Sequence, residues 1–150
     1  MSLKQQIDSD IKQAMLARNK EALEALRSIK SMILLAETEK GGGGDISQEA
    51  EIRLLMKASK QRKESADIFQ KEGRDDLARR EVLQLDIISR YLPKQLSEEE
   101  IKSELQTIIT QMGANGPQDL GKVMGTATRQ LAGKADGKLI SEIVKKLLAP

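Results

Sequence analysis

The sequence predicts an all-α protein, with an N-terminal bundle of about four helices followed by a small three-helix domain. Three observations predict this. Ala, Leu, Glu, Lys, Gln and Arg dominate, while the β-branched and aromatic residues that favour strands are sparse; Phe69 and Tyr91 are the only aromatics. Apolar residues recur at helical spacing along the chain. Breakers (GGGG at 41–44, Gly73, Pro93, Gly113 and Gly133) fall at helix-length intervals.

The first helix follows from a stripe of Leu3, Ile7, Ile11, Ala14 and Met15, with Asn19 placed to end it and cap the next. The second turns Leu23, Leu26, Ile29, Ile33 and Leu34 inward. Four glycines at 41–44 have high unfolded entropy and nothing to pack, so a mobile loop is expected. They lack the Gly-Lys-Ser/Thr that a phosphate-binding loop requires. The third helix runs from Ser47 to Lys71, with Ile52, Leu55, Met56, Ser59, Ala66 and Phe69 on its inner side. Lys57, Lys60, Arg62 and Lys63 within it read either as a ridge for RNA phosphates or as a solvated face. The solvated face is the expectation, because charge runs on long helices are ordinary. Arg62 and Glu81 are expected to pair between the third and fourth helices.

The fourth helix carries Leu77, Val82, Leu85, Ile88 and Leu92 on one stripe, and Pro93 ends it. Ser97 with Glu100 three residues later is a capping box that starts the fifth helix. A helix stop followed so closely by a start predicts a domain boundary, with residues 1–93 on one side and 97–150 on the other. The fifth helix (Ile101, Leu105, Ile108, Met112) stops at Gly113. Asn115-Gly116-Pro117 makes a turn, with Pro117 suited to a first helical position. The sixth helix buries Leu120, Val123, Met124, Ala127 and Leu131, and the Gly121–Gly125 spacing would let another backbone approach. The seventh carries Leu139, Ile140, Ile143, Val144, Leu147 and Leu148.

The chain contains no Cys and no His, which removes disulfides, thiolate metal sites and the commonest general base. No catalytic residue, metal site or cofactor is expected. No apolar run approaches the ~20 residues of a membrane span, and the N-terminus lacks an apolar signal core. A cytoplasmic protein without a membrane partner is the expectation. The net charge of +2 is unevenly placed: residues 113–150 hold six basic and three acidic side chains.

That positive excess surrounds "GKADGK" at 133–138, just before the seventh helix. Cations are unfavourable in a first helical turn unless an anion meets them there. Asp136 is expected to cap the helix through its carboxylate, with Gly137 leaving the turn uncluttered and Lys134 and Lys138 flanking it. Free N–H groups, the helix dipole and two ammonium groups together make an anion site, and a nucleic-acid phosphate suits it. The competing reading is a capped helix behind a flexible loop with solvated lysines. With two aromatics placed on apolar stripes, any RNA contact would be to backbone and shape rather than to bases.

The succession "KQRKES", "GRDDLARRE", "YLPKQLSEEEI", "LGKVMG" and "GKADGKLISEIVKKLL" resembles the GatB/YqeY family, in order and over essentially the whole chain. Asp86 stands where relatives would carry glutamate, a swap that keeps the charge. The last two motifs resemble the C-terminal domain of GatB, a subunit of the glutamine-dependent amidotransferase acting on misacylated Glu-tRNA or Asp-tRNA. The resemblance implies a helical domain followed by a helical tail that approaches tRNA. It brings no active site, since the catalytic body of GatB has no counterpart here. Lys122, Lys134, Asp136, Gly137 and Lys138 are the implied nucleic-acid-binding set. The leading expectation is a non-catalytic tRNA-binding or tRNA-metabolism accessory. The alternatives are a helical protein–protein adapter working through the tail, and a carbon–nitrogen ligase with glutamine as amido-N-donor.

Overall fold

A computed structural model describes residues 2–39 and 44–150. Gly41, Gly42 and Gly43 of the expected glycine loop lie outside the described residues. Among the described residues are seven α-helices and no strand: α1 (Leu3–Leu16), α2 (Lys20–Glu39), α3 (Gln48–Lys71), α4 (Asp75–Ser89), α5 (Glu98–Met112), α6 (Leu120–Gln130) and α7 (Gly137–Leu148). A 3-10 turn at Pro117–Asp119 leads into α6. The protein is all-α, and the chain divides into two compact units, Met1–Leu92 and Pro93–Pro150.

Local chemistry explains the helix limits. Ser2 and Ser97 each accept from the backbone N–H three residues on, while Gln5 and Glu100 reach back to complete the capping boxes. Asn19 Oδ1 accepts from the Ala22 N–H at 3.1 Å, and Ser47 Oγ from the Ala50 N–H at 3.1 Å. Gly73 at φ +74° and Gly113 at φ +67° supply the left-handed residue after α3 and α5. α4 ends at Ser89, earlier than Pro93 requires, and two tight turns carry the chain through Tyr91 and Leu92.

In the N-terminal unit α1 and α2 form one antiparallel pair and α3 and α4 another, with α2 lying against both α3 and α4. Leu3, Ile7, Leu26, Ile29, Ile33, Leu55 and Ile88 close the core. Several side chains expected inside lie outside: Met15 is 55% exposed, Leu34 43%, Val82 51% and Met112 40%. On α4 the buried face is Ala78, Gln84 and Ile88. Its centre is shifted toward polar residues because Glu81 meets Arg62 at 3.3 Å, as expected, and Arg62 also donates to Ser28 Oγ at 3.2 Å. In the tail unit, Ile101, Leu105, Ile108, Val123, Ala127, Ile140 and Val144 are at most 2% exposed and pack α5, α6 and α7 together. Gly121 and Gly125 face open space instead of another backbone; a Cβ at either would touch nothing.

Candidate nucleic-acid interface

The stretch between α6 and α7 is held from both sides. Gly133 takes φ +76°, which reverses the chain after Leu131, and the Lys134 N–H donates to the Leu131 carbonyl at 2.9 Å. The segment before α5 then clamps it: Gln95 Nε2 donates to the Gly133 carbonyl at 2.6 Å and the Leu96 N–H to the Lys134 carbonyl at 2.9 Å. Gly133 and Ala135 are buried, whereas Lys134, Asp136, Gly137 and Lys138 are exposed. The alternation turns one side of the loop into the tail core and the other into solvent. This is an anchored loop, not the flexible one of the competing reading.

Asp136 occupies the N-cap position of α7, with extended backbone, but its carboxylate makes no capping bond. The expected cap is therefore corrected: a suitable residue at the right position does not ensure the χ1 rotamer that reaches a backbone N–H. The first N–H bonded in α7 is that of Ile140, to the Asp136 carbonyl at 3.0 Å. The N–H groups of Gly137, Lys138 and Leu139 have no partner among the described residues. Helix starts normally satisfy such groups with a side chain, water or a ligand. Lys134 and Lys138 form no ion pair among the described residues and stand within the same short stretch. Gly137 has nothing within 4 Å of where a Cβ would be, so the approach to these N–H groups is open.

Lys122 does not join this cluster. It is exposed in the first turn of α6, about 12 Å along the axis from the end where the loop departs. Arg129, in the last turn of α6, stands at the loop end; it is exposed, with Nε bonded to the Gly125 carbonyl at 3.3 Å. The sequence reading missed it, although a cation in a last helical turn followed by a cationic loop was a signal. No such signal marks the Gln95 clamp, which joins residues 38 apart. Among the described residues no group of three or more Asp or Glu could hold a metal ion. No described helix is long and apolar enough to cross a membrane.

A model of the YqeY-like protein family matches residues 4–148. Three similar proteins share the name "Altered inheritance of mitochondria protein 41, mitochondrial". That of Clavispora lusitaniae is 38% identical over 108 residues, covering 71% of this chain and 62% of the relative. That of Pyrenophora tritici-repentis is 27% identical over 146 residues, covering 95% and 78%. That of Lachancea thermotolerans is 31% identical over 113 residues, covering 74% and 60%. The chain thus spans less than two thirds of the length of two of these relatives. Their names overturn the cytoplasmic expectation. A polar surface and the lack of an apolar span meet the demands of any aqueous compartment, an organelle interior included, so composition could not discriminate.

Proposed function

The chain belongs to the YqeY-like family, and on that premise we propose that it is a non-catalytic RNA-binding accessory of tRNA metabolism that grips phosphate at the start of α7. The observation that carries this reading is the trio of unpartnered N–H groups on Gly137, Lys138 and Leu139, beside two unpaired lysines on an anchored loop. A helix N-terminus of this kind stabilises an anion through both its donors and its dipole. The likeness of the tail to the C-terminal domain of the amidotransferase subunit GatB supports tRNA as the source of the phosphate. Phe69 and Tyr91 are half-buried in the N-terminal unit and offer no stacking platform, which favours contact with backbone and shape. Without His or Cys, amidotransferase turnover by this chain alone is not expected.

Gel-shift titration of a folded tRNA at two salt concentrations tests the site. Each lost phosphate contact should reduce the log–log salt slope by about 0.7–0.9. Lys134→Glu with Lys138→Glu should therefore bind more weakly and with a shallower slope. Asp136→Ala should hardly change thermal stability, because the carboxylate caps nothing, and should bind RNA as well or more tightly. Unchanged affinity and slope in the double variant would leave the lysines as plain surface and move the weight to a protein partner. Such a partner would dock on the open Gly121–Gly125 face of α6 and survive salt.

A further inference from the structure

The α3 stretch Ile52–Lys63 contains five basic residues and no acidic one. The structure separates them. Arg62 turns inward and is paired with Glu81. Arg53, Lys57, Lys60 and Lys63 are exposed, and none forms an ion pair among the described residues. The first three follow at i, i+4 and i+7, on the side away from the buried Leu55 and Ala58, and Lys63 stands at the flank. The ridge is about 15 Å long at the helical rise and ends where Glu64 and Asp67 reverse the charge.

Charge runs on long helices are ordinary, but here none of the four cations is held by an ion pair among the described residues. Like charges at i, i+3 and i, i+4 disfavour a helix; Glu49, Glu64 and Asp67 stand four residues from Arg53, Lys60 and Lys63 without pairing with them, and Lys57 has no acid at either spacing. The helix dipole acts only in the terminal turns, so it accounts for Lys71 in the last turn of α3 but not for the ridge. We propose that Arg53, Lys57, Lys60 and Lys63 form a second phosphate-binding face, which lies along the backbone of a folded RNA. The identity of the ligand rests on the RNA reading above; the residues do not. A nucleic-acid duplex presents a charge every ~1.7 Å of its axis, so the ridge spans several phosphates. An acidic protein helix would offer far fewer charges over that length. A membrane surface fits less well, because residues 53–63 expose no large apolar side chain that could enter the headgroup region.

The test uses the full chain and a folded tRNA transcript, followed by fluorescence anisotropy at 50 and 200 mM salt. In the ridge variant Arg53, Lys57, Lys60 and Lys63 are each replaced by Gln. Glutamine has a helix propensity close to that of Lys and Arg, and an unchanged circular-dichroism melt verifies the fold. Four lost contacts should reduce the salt slope by about 3, so the wild type should lose roughly 60-fold more affinity than the variant over that salt range. An unchanged slope and affinity overturns the proposal. The Lys134→Glu, Lys138→Glu variant, measured in parallel, separates the two readings. Loss only in the tail variant overturns the ridge and leaves the α7 site standing. Loss only in the ridge variant supports the ridge and overturns the α7 site. If the ridge variant keeps its tRNA affinity but loses binding to phosphatidylserine vesicles, the face belongs to a membrane and the RNA proposal falls.

Discussion

Tyr91 donates its hydroxyl to the Asp10 carboxylate, tying the chain just past α4 to α1. Burial first, and then the neighbouring carboxylate, raise its pKa above the usual 10.0. For a phenol held neutral in the fold, the stabilisation is complete below the unfolded value and is lost as pH climbs toward the raised folded value. Tyr91→Phe should therefore lower stability at pH 7 by about 1.5 kcal/mol, at the low end for a hydrogen bond to a charged group because the pair is only part-buried. From pH 10 upward the wild type should lose stability more steeply than the variant. Urea titrations from pH 7 to 11 check both. Glu24 and Glu100 behave in the opposite sense. The Arg80 guanidinium and the Ser97 backbone N–H, respectively, hold their carboxyls below the usual range, so their contributions disappear in acid.

At the scale of the element, the α3–α4 hairpin is organised around a polar layer. Leu55 and Ile88 close its apolar base, and Ala66 and Ala78 flank its far half. Between them Arg62 meets Glu81, and the antiparallel register brings Ser59 to the level of Gln84 one turn away. Ser59 Oγ and Gln84 Oε1 are buried without a partner. A slide of α3 against α4 by one turn would break the Arg62–Glu81 pair, so the pair favours the observed register. Removing one partner, as in Glu81→Ala, should cost about 1–2 kcal/mol, less than for a fully buried pair since both side chains retain some exposure. Arg62→Met combined with Glu81→Leu should cost less than the two single changes together. A double-mutant cycle in urea measures that coupling, and simple additivity would show that the pair does not act as a unit.

At the scale of the whole molecule, the tail unit Pro93–Pro150 has its own buried core and its own clamp from Gln95 and Leu96 to Gly133 and Lys134. A unit this small buries a modest share of its surface, so its stability is marginal. Residues 93–150 expressed alone should retain helical circular dichroism and a cooperative melt, at a lower temperature than the complete chain. A coil spectrum would show that the unit requires the rest of the protein.

The sequence by itself determined the helical class and most of the helix limits, because those depend on interactions within a few residues. The Ser97–Glu100 box, the left-handed glycines at 73 and 113, and the short-range period of apolar side chains act locally and can be read locally. The Ser2–Gln5 box is equally local and equally legible. The set of candidate cations at the start of α7 was also visible as composition. Tertiary structure alone decided which overlapping stripe of α4 turns inward, so that Gln84 is 1% exposed and Val82 51%. That choice belongs to the helices packed against α4 and to the Arg62–Glu81 pair between α3 and α4. Tertiary structure likewise decided that the loop before α7 is anchored and that Asp136 leaves its N–H groups free. Both depend on how side chains and backbone far apart in sequence meet, and periodicity carries no information about that.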